Sequence, residues 1–101
     1  MLDLNKLKSK NYEFIWFDGS TLQLKRPSQK MFDRLMELSE LKEADYKSLI
    51  KVIFDILTEV INGNINGRKF TREEIEEEFD LSLAYVFIED YTKFYVPQLG
   101  E

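Results

Sequence analysis

Apolar and polar positions near the N-terminus follow a pattern that predicts a β-hairpin. Apolar and aromatic residues dominate 12–17, Asp18-Gly19 comes next, and a second run that includes apolar residues covers 21–26. Asp-Gly between two such runs is a strong hairpin signal, because both turn residues need positive φ and these residue types tolerate it. We therefore expect a hairpin over 12–26.

The first strand of this hairpin is apolar on both faces. Side chains alternate along a strand, so Tyr12, Phe14 and Trp16 point one way while Ile15 and Phe17 point the other. A hairpin with one solvated face does not explain this pattern. We expect Phe14 and Trp16 in the core, and Ile15 and Phe17 in contact with a partner or a second copy of the chain.

The next two apolar stripes have helical spacing. Pro27-Ser28 ends the strand and begins a helix whose apolar stripe continues to Leu38 and which frays near 40–43. A second helix is predicted over 45–61. It is closed by Asn62-Gly63, in which the glycine is expected to adopt the left-handed conformation.

The C-terminal part of the chain predicts two further helical segments. The turn-rich stretch 62–70 is interpreted as a connection between helices. The four residues from Thr71 to Glu74 fit a capping box at the start of the next helix. A final helix is expected from Asp80 or Ser82 to about Tyr95, ended by Pro97.

These elements together predict an α+β fold that is mostly helical. An N-terminal β-hairpin precedes three to four helices in one small domain over 1–101. Within it we expect a flexible arm over 1–11 and a helical part over 28–96.

The chain has more apolar surface than one small core readily hides. The second helix is apolar most of the way round, and the last helix carries tyrosines whose hydroxyls suit an interface. A surface of this kind is usually shared with another protein. The predicted partner contacts are Phe54, Ile56, Tyr85 and Tyr95, with Ile15 and Phe17 as the alternative.

The composition excludes most catalytic designs. The chain has no cysteine and no histidine, which removes thiolate chemistry, disulfides, the commonest general base and the commonest metal ligand. Six carboxylates lie within 73–80, but a straight helix does not wrap oxygen ligands around a cation. We expect no enzyme activity, no cofactor and no metal.

Charge is distributed unevenly along the chain, whose formal net charge is −5. Residues 1–34 hold seven Lys and Arg against four Asp and Glu, a net +3, so the remainder carries −8. This asymmetry is compatible with head-to-tail association or complementary partners, and equally with the solvated faces of a monomer. The acidic part opposes nucleic-acid binding. No stretch is typical of a signal peptide or a membrane span, so a cytoplasmic location with no membrane partner is expected.

The order of these segments resembles a known family. A hairpin containing WFDGSTLQL runs into the helix SQKMFDRLMEL, and after two more helical segments the chain ends in the aromatic stretch AYVFIEDYTKFYVPQL. This order is similar to that of the small tail assembly chaperones of long-tailed bacteriophages (siphoviruses) and prophages. The resemblance implies a non-enzymatic helper that binds the tape-measure protein, keeps it soluble and helps to recruit tail-tube subunits.

The same resemblance implies action in the host-cell cytoplasm, absence from the mature virion and frequent self-association. Tape-measure proteins offer amphipathic helices, which an apolar groove with surrounding charge would suit. Two alternatives remain open. One is a small acidic regulatory or inhibitory protein that acts through 73–80, and the other is a homo-oligomeric structural component of the tail.

Overall fold

The computed structural model of the chain describes residues 1–4, 10–38 and 45–100, with side chains as far as residue 95. In these ranges an antiparallel hairpin precedes four helices, which confirms the predicted α+β, mostly helical fold. The predicted arm includes 5–9, and the predicted fraying covers 40–43; both of these stretches lie outside the described residues. The elements are β1 (Tyr12–Ile15), β2 (Thr21–Leu24), α1 (Gln29–Glu37), α2 (Tyr46–Asn62), α3 (Arg72–Glu78) and α4 (Leu81–Gly100).

Side chains that accept backbone hydrogen bonds mark the start of each helix. Ser28 accepts from the Met31 nitrogen at 3.1 Å, and Asp45 accepts from the Ser48 nitrogen at 2.9 Å. At α3 the predicted capping box is present, with Thr71 and its partner three residues on bonded reciprocally. These bonds satisfy helix N–H groups that have no partner within the helix.

The turn of the hairpin differs from the predicted one. The Trp16 nitrogen donates to the Ser20 oxygen at 2.7 Å, which leaves three residues in the loop. Within this loop only Gly19 has positive φ, at 88°, so the expectation of positive φ at Asp18 is wrong. A three-residue loop needs one left-handed residue at its end, and glycine supplies it.

The α2 helix ends at Asn62, as the Asn62-Gly63 pair predicted, but the predicted conformation of Gly63 and the predicted end of the last helix are wrong. Gly63 follows α2 with φ of −80°, and the helix end is instead satisfied by the Asn64 backbone nitrogen and side chain, which both donate to the Ile61 oxygen. The backbone of α4 continues through Pro97 to Gly100. A proline removes one helical hydrogen bond and bends a helix, and the residues that follow can keep helical backbone.

One hydrophobic core joins the hairpin to the helices. The α2 helix packs against both α3 and α4, and the inner face of the hairpin covers the same core. Aromatic rings connect the hairpin to α4 over much of its length, from Tyr12 against Tyr91 to Phe17 against Phe79. The largest fully buried side chains are Leu22, Leu24, Ile53, Leu57, Ile61, Ile75 and Tyr95.

Candidate protein-binding groove

The strand β1 lies beside α4 and runs in the opposite direction. Near the start of the strand, the Tyr12 ring lies 5.5 Å from the Phe94 ring. Beyond its end, the Phe17 ring lies 5.2 Å from the Phe79 ring, just before α4 begins. A groove of about 490 Å³ lies between β1 and the first two-thirds of α4. We call it the β1–α4 groove; it is lined by Tyr12, Phe14, Ile15, Trp16, Phe17, Phe79, Leu83, Val86, Phe87, Glu89, Asp90 and Lys93.

Large apolar side chains are exposed around this groove. Ile15 is 75% exposed and Phe17 is 50% exposed, on the outer face of the hairpin and at its turn. Across the groove, Val86 is 62% exposed, and Leu83 is exposed one helical turn before it. An apolar surface that is contiguous in this way is typical of a site for another protein, whereas isolated exposed apolar residues are common and need no explanation.

Polar groups occupy one side of the groove. The Tyr12 hydroxyl donates to Asp90 Oδ2 at 2.7 Å, and burial together with this carboxylate raises the pKa of the tyrosine. Lys93 Nζ lies 2.6 Å from Glu89 Oε1, and this hydrogen bond raises the pKa of the lysine. The groove therefore carries two carboxylates and one ammonium group beside an apolar floor.

The structure brings two of the predicted partner contacts into this groove. Ile15 and Phe17 both line it, on the face opposite to the buried Trp16, as the alternation of side chains predicted. Phe14 is partly buried and packs against the core. Tyr85 is exposed but does not line the groove. The helical angle between Tyr85 and Leu83 is about 200°, which puts them on opposite flanks of α4.

Three other predicted contacts need correction. Phe54 and Ile56 are only 5% and 2% exposed, because they lie in the one core that α2 shares with the hairpin, α3 and α4. Tyr95 is 1% exposed, and its hydroxyl lies 3.2 Å from the carbonyl oxygens of Lys10 and Leu24. These side chains belong to the protein's own core, so they are not available to a partner in this fold.

The groove also contains residues that were not predicted to contact a partner. Among them are Leu83, Val86 and Phe87. Leu83, Val86 and Asp90 follow one another at intervals of three and four, which is the spacing of one helix face, and Phe79 lies in extended conformation just before this helix. This helical spacing was the signal in the sequence that could have identified the α4 side of the groove.

The acidic stretch 73–80 does not form a metal site in the structure. Glu74 completes the capping box, Glu76 pairs with Arg72 at 2.8 Å, and Asp80 lies beyond α3 and accepts from the Leu83 nitrogen at 2.8 Å. The α3 helix ends at Glu78, so Asp80 does not share a helix with the glutamates. Within the described ranges, no group of three Asp or Glu residues is arranged to hold a cation.

The asparagine-rich stretch 62–70 is occupied by internal hydrogen bonds. Asn64 is buried; its Nδ2 donates to the Ile61 and Arg68 oxygens at 2.8 Å, and its Oδ1 accepts from the Arg68 nitrogen at 3.0 Å. Asn62 Oδ1 likewise accepts from the Phe70 nitrogen at 2.7 Å. Because these amides already bind the loop's own backbone, the loop is a structural connection, as the sequence indicated.

No known protein family, curated protein or solved structure matches this chain. Among the helices that the structure describes, none combines the length and the apolar character needed to cross a bilayer.

Proposed function

We propose that this chain is a non-enzymatic binding protein that holds an apolar segment of another protein in the β1–α4 groove. The observation that carries this proposal is the exposure of Ile15, Phe17 and Val86 around one groove. Covering such a surface removes apolar area from water, which contributes about 25 cal/mol for each Å² buried. The adjacent carboxylates keep the rim hydrated until a partner binds.

Within this class, we propose a tail assembly chaperone of long-tailed bacteriophages. The support is the order of the hairpin, the Pro27-Ser28 helix start, the two central helices and the aromatic last helix. The client is then the tape-measure protein, and the complex helps to recruit tail-tube subunits. The chaperone acts in the host-cell cytoplasm and is absent from the mature virion.

Co-expression with a client tests this proposal. The proposal places a tape-measure protein in the reading frame beside this gene; that protein is produced with and without the chain, and its soluble fraction is measured. We expect the tape-measure protein to be soluble and to co-purify only when the chain is present. An insoluble tape-measure protein and no co-purification would contradict the proposed client.

Exposed carboxylates favour one alternative, an acidic inhibitory protein that binds through α3. Glu73, Glu77 and Glu78 all face solvent. Binding through them would weaken steeply as salt is added, because exposed charges are screened beyond about 8 Å at physiological ionic strength. Salt-insensitive binding that is lost on Val86→Asp would favour the groove instead.

The other alternative is a homo-oligomeric tail component. In that case the same apolar groove would be covered by further copies of the chain. Light scattering on the purified protein tests this alternative, since a structural component must assemble without a client and a monomer would contradict it.

A further inference from the structure

One edge of the hairpin has unpaired backbone groups. Trp16 bonds toward β2 through its nitrogen, and hydrogen-bonding direction alternates along a strand, so the N–H and C=O groups of Glu13 and Ile15 point away from β2. No residue in the described ranges hydrogen bonds to these four groups. The free edge of β1 is therefore able to pair with another strand.

The opposite edge of the hairpin is closed by the chain itself. The Gln23 oxygen accepts from the Ile65 nitrogen at 3.0 Å, and the Gln23 nitrogen donates to Asn66 Oδ1 at 2.9 Å. Leu24 also forms an isolated antiparallel bridge with Asn64. The two edges thus differ, since the loop 64–66 covers β2 and no described segment covers β1.

The free edge of β1 lies in the groove. Side chains from both faces of the strand line the groove, Phe14 and Trp16 from the inner face and Ile15 from the outer face. Opposite them, the stretch of α4 from Leu83 to Lys93 is about 15 Å long at 1.5 Å per residue. A strand of four to five residues has the same length at about 3.3 Å per residue, and β1 itself has four.

Charge at the groove favours a basic occupant. Two carboxylates, Glu89 and Asp90, and one ammonium group, Lys93, are among the groove-lining residues, and the exposed Glu13 carboxylate lies on the outer face of the strand. Lys93 is already paired with Glu89 at 2.6 Å. A segment that brings lysine or arginine would compensate the remaining negative charge, and an acidic segment would be repelled.

We propose that the occupant binds in extended form, as a third strand added to the free edge of β1. Its backbone pairs with the exposed N–H and C=O groups of Glu13 and Ile15, and its apolar side chains, at every second position, contact Val86 and the other apolar residues of the groove. The lysine or arginine residues between them point to the outer face of the hairpin, where the Glu13 carboxylate lies. This inference rests on the proposed function, because it specifies which segment of a client the groove takes.

Synthetic peptides test the conformation and charge of the occupant. The probe is a fluorescent nine-residue peptide that alternates lysine and valine; its isomer has the same composition with the valines at helical spacing, and a third peptide has glutamate in place of lysine. We expect the alternating lysine peptide to bind at least tenfold more tightly than either of the others. Equal or tighter binding of the helical isomer, or no binding of the alternating peptide, would overturn strand addition. The co-expression result would stand independently of these outcomes.

Proline substitutions test the edge directly. Ile15→Pro removes one outward N–H group and leaves the bonds to β2 in place, whereas Ile15→Ala removes only side-chain contacts. Thr21→Pro is the matched control, because Thr21 pairs with Ile15 across the hairpin and its N–H points to the opposite edge. We expect Ile15→Pro to bind the peptide at least tenfold more weakly than both Ile15→Ala and Thr21→Pro. Equal binding by Ile15→Pro and Ile15→Ala would overturn the proposal.

Amide hydrogen exchange keeps the proposal falsifiable if Ile15→Pro does not fold. In the unsubstituted protein, bound peptide is expected to slow exchange of the Glu13 and Ile15 amides by tenfold or more, because these N–H groups gain partners. The Phe14 amide, which already bonds toward β2, is the internal reference. Unchanged exchange at Glu13 and Ile15 in the presence of saturating peptide would contradict strand addition.

Discussion

Tyr12 joins the hairpin to α4 through both its ring and its hydroxyl. The ring packs against the aromatic residues of α4, and the hydroxyl donates to Asp90. Burial, followed by this hydrogen bond, raises the pKa of the hydroxyl above its ordinary value of 10.0. The folded state therefore binds the hydroxyl proton more tightly than the unfolded state does.

This shift predicts a loss of stability in alkaline solution. Below pH 10 the Tyr12 hydroxyl is neutral in both states, and its contribution to the free energy of unfolding is fully present. Above pH 10 the hydroxyl ionises first in the unfolded state, and the free energy of unfolding falls. Tyr12→Phe has no hydroxyl to ionise, so its free energy of unfolding is expected to fall less between about pH 9 and pH 11. Urea unfolding of both proteins at the two pH values measures the difference, and equal losses would contradict the assignment.

A second prediction concerns the buried side-chain amide of Asn64. Its buried amide bonds to three backbone groups; Asn64→Ala leaves the two Arg68 groups without this partner, while the Ile61 oxygen keeps the Asn64 backbone nitrogen, and the free energy of unfolding is expected to fall by about 2–4 kcal/mol. Asn66→Ala is the control, since its exposed amide accepts one bond and its loss costs roughly 0.5–1.5 kcal/mol. Equal destabilisation of the two variants, measured by denaturant titration, would show that Asn64 does not have this role.

The hairpin turn depends on the left-handed backbone conformation of Gly19. A methyl group at Gly19 would meet no atom within 4 Å, so the cost of Gly19→Ala comes from φ of 88° alone. That cost is expected to be about 1–2 kcal/mol, and smaller for Gly19→Asn, because asparagine tolerates the left-handed region. Thermal unfolding of the two variants tests the order, and a less stable asparagine variant would contradict it.

The beginnings of helices could be predicted from the sequence because each one depends on a few adjacent residues. Ser28, Asp45 and Thr71 all cap the helices that they were expected to begin. The end of a helix was less predictable. At Gly63 the neighbouring asparagine supplies the bonds that a left-handed glycine would otherwise provide, and nothing in the Asn-Gly pair distinguishes these two solutions.

Which apolar face remains exposed is a property of the whole molecule. The outer face of β1 was correctly separated from the inner one, because alternation along a strand is strictly local. Phe54 and Ile56 were expected to contact a partner, yet they are buried because α3 and α4 both pack on α2. Helical periodicity indicates an apolar face but not the element that covers it, and Val86 was missed for the same reason.

Two adjacent positions on α4 give the most direct test of the β1–α4 groove as the proposed client site. Val86→Asp and Tyr85→Asp put the same charge on adjacent, exposed positions, one lining the groove and one outside the lining, about 100° round the helix. Each variant is co-expressed with the tape-measure protein, its own fold is checked by circular dichroism, and the amount of client recovered with it is measured. We expect Val86→Asp to recover at least tenfold less client than the unsubstituted chain and Tyr85→Asp to recover a similar amount. Full recovery with Val86→Asp, or loss only with Tyr85→Asp, would contradict binding in the groove.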